Sequence, residues 1–482
     1  MVISCLKHKN SWNIIFNVFL VLLGFVSCIF CRFHFNFFIT IFIIPICFLI
    51  FSRKNKAYVC LPIIFITLTL GFSISLWTTF HWFDISILIR LALGFFHFIP
   101  FLCERLIYQY WFSKRKNLID ICFALTWVIS EWIFSLVNPY GNAGSLTYCM
   151  VQILPFCQII SILGLHFLTF IIIYFSASIS TLFMSSNKII MFKQIIAPLC
   201  LIMSNFIYSG LCLINQPIKN QTIKVMMKDT GFKAYYEDEK LWYEALTNDV
   251  HIAKDSKVNL LTYGETSYYF EADQYENIKN QCKEIFNNSE LCAVVTFAFF
   301  KSNYKISNES WLINGFTNEI VVYQKSHGIP NEGIEEGDGK VKYIDTPYGR
   351  IGTVICLDLE FDNFISQVGR NHIDILVAPS ADWISMQPNH SITNAFRAIE
   401  NGVNLIKPTY TGYSIATDYY GNILTNYFNS NSDSTIGVID VPCKSKFVIY
   451  PYLAIVMDYL YIISLCGLLV FYSIKDYFIK TR

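Results

Sequence analysis

Seven runs of mainly apolar residues crowd the first part of the chain, at roughly 12–31, 35–51, 59–80, 85–107, 118–137, 158–183 and 189–213. After a polar stretch, an eighth lies near 447–474. A bilayer's hydrocarbon core takes about 20 helical residues to cross, so each run predicts a spanning helix. The first follows Lys7 and Lys9 in the manner of a signal peptide. No small-residue cleavage site comes after it and further apolar runs follow directly, so it reads as a retained helix.

Between residues 214 and 446 the pattern changes. Short apolar strands are predicted at Val258–Tyr263, Leu291–Phe297, Glu319–Tyr323, Gly349–Ile355, Ile373–Ala378 and Asn404–Pro408. Helical periodicity is predicted at Lys240–Ala253, Glu271–Asn287 and His390–Asn401, the last closed by Gly402 with Arg397 and Glu400 on one flank. Strands and helices interleaved this closely predict a layered α/β domain, and a segment of this length can bury its own core. The expected organisation is 1–213, a membrane domain of about seven transmembrane helices; 214–446, a polar domain; and 447–482, a last transmembrane helix with a short tail.

Charge sets the expected orientation. Lys7 and Lys9 precede the first run. Arg53, Lys54 and Lys56 separate the second from the third, Lys114, Arg115 and Lys116 the fourth from the fifth, and Lys188 the sixth from the seventh. Lys475, Lys480 and Arg482 follow the last, while the alternate loops hold little more than Arg32, Trp82 and Asp84, and Asn138-Pro-Tyr-Gly141. Cationic loops stay on the cytoplasmic side, which predicts cytoplasmic termini and an extracytoplasmic polar domain.

Composition supports lipid and narrows the chemistry. The chain is 54% hydrophobic and 15% charged, against about 25% charged in a soluble protein. A net charge of +1 without a basic block or nucleic-acid-binding motif argues against nucleic acid as a partner. The histidines lack ligand spacing, so neither metal nor cofactor is expected. Most cysteines (Cys28, Cys31, Cys47, Cys60, Cys103, Cys122, Cys200 and Cys212 among them) sit in apolar runs and read as small hydrophobes. Cys282 and Cys292 lie in the polar stretch, where a disulfide is open to them in an oxidising space. Glu131, near Trp127 and Trp132 in the fifth run, is a costly intramembrane acid that reads as a helix-end contact or a functional group. Asn308 and Asn389 fall in glycan-acceptor patterns, which matter only in a glycosylating pathway.

Three predicted strands end in a reactive group: Asn259-Leu-Leu-Thr-Tyr-Gly264 leads to Glu265, Ile320-Val-Val-Tyr-Gln324 to Lys325, and Ile351-Gly-Thr-Val-Ile355 to Cys356. Side by side, these ends would gather a carboxylate, an ammonium and a thiol. A neighbouring ammonium favours the reactive thiolate, and a partly buried carboxylate can take the thiol proton and return it to a leaving group. The ammonium, with the backbone N–H after Cys356, can hold an oxyanion. Taken singly, each residue has a plainer reading as a core cysteine or a solvated charge, and spacing leaves both open.

Longer motifs add to this. Tyr323-Gln-Lys-Ser-His-Gly-Ile-Pro330, Tyr348-Gly-Arg-Ile-Gly-Thr-Val-Ile-Cys-Leu-Asp358 with Phe361, Asp374-Ile-Leu-Val-Ala-Pro-Ser-Ala-Asp-Trp383 and Arg397-Ala-Ile-Glu-Asn-Gly402 resemble, in order and spacing, the nitrilase (carbon–nitrogen hydrolase) superfamily. In the membrane half, Leu125-Thr-Trp-Val-Ile-Ser-Glu-Trp132, Asn138-Pro-Tyr-Gly141, Gln158-Ile-Ile-Ser-Ile-Leu-Gly164 and Leu168-Thr-Phe170 resemble the apolipoprotein N-acyltransferase family.

The resemblance implies a multi-span α-helical membrane domain joined to an α-β-β-α sandwich in a bacterial cytoplasmic (inner) membrane, with the sandwich on the periplasmic side. It implies Glu265 as base, Lys325 as electrostatic stabiliser and Cys356 as nucleophile. The reaction implied takes an acyl chain from a phospholipid donor through a Cys thioester to the α-amino group of a diacylglyceryl-modified lipoprotein. By the same resemblance Glu332 stands for a second functional acid, with Glu335 or Glu336 as substitutes, and Trp383 supports the site. Leu357 and Asp358 replace the usual Tyr-Glu after the nucleophile, and Tyr236 or Tyr235 replaces a Trp. The alternatives are a membrane-anchored amidohydrolase using water, an acyltransferase with a different acceptor, and a scaffold that no longer catalyses.

Overall fold

A computed structural model describes residues 2–32, 35–80, 87–112, 115–185, 188–214, 221–229, 239–301, 305–410, 412–429 and 435–480. The amino-terminal part is helical: α1 (Val2–Phe30), α2 (Thr40–Lys54), α3 (Ala57–Phe80), α4 (Ile87–Cys103, continued by a π-turn), α5 (Lys116–Val137), α6 (Ile160–Met184) and α7 (Lys188–Ile214). Among the described residues, seven helices are long and apolar enough to cross a membrane: all of these except α2, and the carboxy-terminal helix. Their outer faces expose Ile15, Phe19, Leu70, Ile207, Leu211 and Ile463. So much exposed apolar surface is stable only in lipid, and the chain is a membrane protein.

The run at 35–51 forms a shorter helix than expected. It folds as α2, 15 residues long, or about 22 Å at 1.5 Å per residue. It packs between α1 and α6, so its apolar surface meets protein. A helix surrounded by other helices is apolar all round. The adjoining Arg53 is not a solvated loop charge. Its buried guanidinium donates to Glu104 Oε1 (2.7 Å) and Asp120 Oδ1 (3.0 Å), and to the hydroxyls of Ser180 (2.8 Å) and Thr181 (2.6 Å).

The polar domain is an α-β-β-α sandwich. Its first sheet contains β1 (Thr222–Asp229), β2 (Leu260–Tyr263), β3 (Tyr268–Glu271), β4 (Cys292–Phe300), β5 (Ile306–Asn314), β6 (Glu319–Gln324) and β13 (Thr435–Pro442), in the order β13-β1-β2-β4-β5-β6 with β3 also on β4. The second contains β7 (Lys342–Thr346), β8 (Gly349–Thr353), β9 (Ile375–Val377), β10 (Asn404–Lys407), β11 (Gly412–Thr417) and β12 (Ile423–Asn429), in the order β12-β11-β10-β9-β8-β7.

Alternation along the strands builds the layers. Val225, Leu260, Val294 and Leu312 face Ile351, Ile375, Val377 and Ile406 between the sheets. Met226, Leu261, Ala293 and Val295 face the other way, against Trp242, Leu246 and Val250 of α8 (Glu239–Asp255) and Ile278 and Phe286 of α9 (Tyr275–Phe286). This also separates Cys282 from Cys292. Cys282 lies on the buried face of α9 and Cys292 between the sheets, and both are free, so the disulfide left open by the sequence is not formed.

The helix expected at His390–Asn401 is split at Asn394 into Asn389–Thr393 and α10 (Ala395–Asn401), and Gly402 closes it with a left-handed φ of +65°. The chain ends in α11 (Tyr450–Lys480).

A polar seam joins the two halves. α6 is broken at Gly164 (φ +76°), where the Tyr450 ring lies so close that a Cβ would meet it at 2.1 Å. The freed amide of Leu165 donates to Glu400 Oε1 at 3.1 Å, and Arg397 contacts Glu400, Asp362 and the Tyr148 hydroxyl. Glu131 accepts from Ser145 Oγ at 2.8 Å, the helix-end contact the sequence left open.

Breaking one partner of a buried ion pair leaves uncompensated charge, typically at a cost of about 3–5 kcal/mol. Arg53→Ala is therefore expected to lower the thermal unfolding midpoint of the detergent-solubilised protein, followed with a dye that reports exposed thiols. An unchanged midpoint would show that the Arg53 cluster contributes nothing.

Candidate active site

Glu265, Lys325 and Cys356 each stand just beyond a strand, β2, β6 and β8, at one rim of the sandwich. Backbone bonds lace this rim: Glu265 N–H donates to Ser380 O (3.2 Å), Tyr410 N–H to the same oxygen (2.7 Å), and Cys356 N–H to Pro379 O (2.9 Å). Gly264 admits this approach, since a Cβ there would lie 2.6 Å from the Tyr410 nitrogen.

Lys325 is fully buried. Its Nζ donates to Glu265 Oε1 at 2.8 Å and to Glu332 Oε2 at 3.2 Å. Asn308 Nδ2 donates to the same Glu265 oxygen at 2.8 Å, and the amide of Ile329 holds Glu332 at 2.9 Å. Burial acts against the Lys325 charge, but Glu265, then Cys356 and Glu332, outweigh it and raise the ammonium above its ordinary range. Burial first, then Glu265, raise Glu332 against the pull of Lys325.

Cys356 sits at the start of a tight turn, Cys356–Glu360, with a left-handed φ of +47°. A non-glycine residue with this φ is strained, and such strain clusters at functional sites. The first N–H groups of a helical turn have no partner within it, and Leu357 N–H is one of them. The thiol departs from the sequence expectation. Burial, then Glu265 and Asp382, push its pKa well above the ordinary value, and the opposing pull of Lys325 and Lys407 does not compensate. The resting residue is a thiol, and after burial the Glu265 carboxylate acts on it most strongly.

The supporting residues separate by position. Of the three acids considered, Glu332 touches Lys325, whereas Glu335 pairs with Lys301. Asp358 is fully buried and turned away from the thiol: it accepts from Tyr323 Oη (2.5 Å), His327 N–H (2.9 Å) and Ile355 N–H (3.1 Å). It thereby ties the Lys325 segment to the Cys356 turn. Leu357 and Trp383 line a cleft beside Cys356. Tyr235 and Tyr236 lie outside the described residues.

That cleft, about 750 Å³ including its open mouth, places Cys356 in the same space as Leu76 of α3, Ile89 and Leu93 of α4, and Phe134 of α5. Its wall carries a second buried cluster. Asp382 contacts Lys407, accepts from Gln387 Nε2 (2.7 Å) and Ser391 Oγ (3.1 Å), and lies 3.1 Å from His390 Nδ1. Burial and Lys407 oppose charge on His390, yet Asp382 and Glu360 raise it to about 8, so the ring is cationic at neutral pH.

Lys407 and His390 carried no signal in the sequence, and Asn308 stood out only as part of a glycan-acceptor pattern, although it is buried against Glu265. Its signal was the polar run Ser307-Asn-Glu-Ser310 inside a strand that the sandwich buries.

Residues 234–445 match the carbon-nitrogen hydrolase family. The protein carries a carbon-nitrogen hydrolase domain. Over 352 residues, 65% of its length, the chain is 24% identical to an apolipoprotein N-acyltransferase of Rickettsia prowazekii, covering 68% of that protein. It is 23% identical to one from Geobacter metallireducens, over 64% of this chain and 66% of the other. A deaminated glutathione amidase of Dictyostelium discoideum is 29% identical over 150 residues, 26% of this chain and 51% of that one. Domain and relatives together make the protein an acyltransferase.

Because the thiol is held protonated, iodoacetamide should modify Cys356 slowly at pH 7, and the rate should climb about tenfold per pH unit through pH 9, following the thiolate fraction. Intact-mass kinetics would read this. A fast rate that is flat between pH 5 and 8 would mean a preformed thiolate.

Proposed function

We propose that this enzyme moves a fatty acyl chain from a phospholipid to the α-amino group of the lipid-modified amino-terminal cysteine of a lipoprotein. It does so at the periplasmic face of a bacterial inner membrane, with both termini cytoplasmic. The observation that carries the reading is the cleft: one apolar space holds the Cys356 thiol and side chains of three membrane helices. A water-soluble amide or nitrile has no use for such a space, whereas a lipid ester enters it without leaving the bilayer. Holding both lipid substrates beside the thiol also removes much of the entropic cost of bringing them together.

Chemistry follows from the geometry. Glu265 takes the thiol proton as sulfur adds to the ester carbonyl, and Lys325 with Leu357 N–H holds the oxyanion. The carbon–oxygen bond breaks, Glu265 returns the proton to the departing glyceryl oxygen, and a lysophospholipid leaves an acyl thioester on Cys356. The neutral amine of the acceptor then adds to the thioester carbonyl and yields its proton to Glu265. The carbon–sulfur bond breaks, an amide remains, and the thiol is reprotonated. Glu332, bound to the far side of Lys325, keeps that ammonium in place.

Incubated with phospholipid alone, the purified enzyme should gain one acyl mass on Cys356. Hydroxylamine should remove it, and a diacylated lipopeptide should collect it as an amide. Release only as free fatty acid would mean that water is the acceptor, and no adduct would refute the thioester route. Cys356→Ser should lower transfer at least about a hundredfold, since an alcohol is a far weaker nucleophile than a thiolate at the same base. Retention of substantial transfer would assign the nucleophile elsewhere.

A further inference from the structure

A polar recess that the reaction above does not use adjoins the cleft. Arg32, Asn36, Ser145, Asn389, His390 and Thr393 line it, and Arg32 and His390 also line the cleft around Cys356, so the two spaces are contiguous. Arg32 comes just after α1 and is only 3% exposed. One end of its guanidinium meets His97 Nε2 at 3.1 Å, and its centre lies 4.6 Å from the Phe72 ring centroid. His97 Nδ1 faces Leu93 O at 2.9 Å. A carbonyl only accepts, so the ring proton sits on Nδ1 and Nε2 accepts from Arg32, which supplies no counter-charge.

Among the described residues no carboxylate lies within ion-pair distance of Arg32. Glu131, the carboxylate whose field it feels, accepts instead from Ser145. Among the described residues, Arg32 Nε and Asn36 Nδ2 are both buried donors without a hydrogen-bond partner. The Asn36 backbone is pinned by Gln152, whose Nε2 donates to its carbonyl at 2.8 Å. The one acid on the recess wall, Glu360, is already engaged by Tyr148 (3.0 Å), Asn394 (3.1 Å) and His390 (3.5 Å).

A buried cation and a second idle donor aimed at one recess call for an anion with several acceptor oxygens. We infer that Arg32 and Asn36, together with His390, form a subsite for the phosphodiester of the acyl-donor lipid, which sets its ester carbonyl at Cys356. This rests on the phospholipid donor proposed above. It matches the connectivity of one molecule: the phosphodiester and the acyl ester sit on the same glycerol, as the recess adjoins the cleft that holds the thiol. The acceptor carries no phosphate, so the subsite serves the first half-reaction alone.

The test compares two donors on the full-length enzyme in detergent, following acyl-Cys356 by intact mass: dipalmitoyl phosphatidylglycerol, and p-nitrophenyl palmitate, which has no phosphate. Arg32→Gln and the smaller change Asn36→Ala should each lower kcat/KM for the phospholipid at least tenfold, mainly through KM. The p-nitrophenyl palmitate rate should stay within twofold, and Arg32→Lys should recover part of the loss. Equal losses with both donors, or none with either, would overturn the subsite. Millimolar inorganic phosphate should leave the p-nitrophenyl palmitate rate unchanged; Arg32-dependent inhibition would reassign the recess to a free anion. A wild-type enzyme acylated by p-nitrophenyl palmitate but never by phospholipid would remove the donor assignment itself, and the subsite with it.

Discussion

A fully buried ammonium governs this site. Lys325 cannot stay charged inside the sandwich without anions at contact distance, so Glu265 and Glu332 must converge on it from two other segments. Their arrival brings the strand ends of β2 and β6 together, and Asn308 and Asp358 fix the carboxylate and the nucleophile turn around them. The arrangement is costly, and it sets where protons reside. With Glu265 beside it the Cys356 sulfur keeps its hydrogen, so the proposed reaction couples sulfur attack to proton transfer in a way a lysine-stabilised thiolate would not require.

The second constraint is the seam that holds this rim over the membrane helices. Glu400 caps the interrupted α6 at Leu165, Arg397 bridges to Tyr148, and the amide of Asn142 reaches the carbonyl of Glu360 at 2.9 Å. These are short, largely buried contacts between parts of the chain more than 200 residues apart. They keep the loop carrying Trp383 and Met386 against α3 and α5, and the cleft exists only because that loop and those helices share it. The buried polar groups of the membrane half serve the same end: the Arg53 cluster ties α2, α5 and α6 into one body.

Much of this was legible in the residues. Apolar runs of spanning length, strand alternation and Gly402 announced helices, layers and a helix stop because each reflects a local rule. Glu265, Lys325 and Cys356 stood out as reactive groups at strand ends. Asn308, His390 and Lys407 did not, since nothing local separates an asparagine that orients a carboxylate from one in solvent. Arg53 looked like a loop charge for the same reason: nothing local separates an arginine in solvent from one buried against Glu104 and Asp120.

The sequence by itself determined the periodicity of each element, the lipid-compatible surface of the helices and the identity of the groups able to do chemistry, because these are properties of short stretches of chain. Only the tertiary structure decided which acid meets Lys325, that Cys356 rests as a thiol, that Cys282 and Cys292 stay apart, and that the thiol shares a cleft with α3, α4 and α5. Each of those outcomes depends on burial and on contacts between distant segments, and neither exists until the two sheets and the helix bundle have packed.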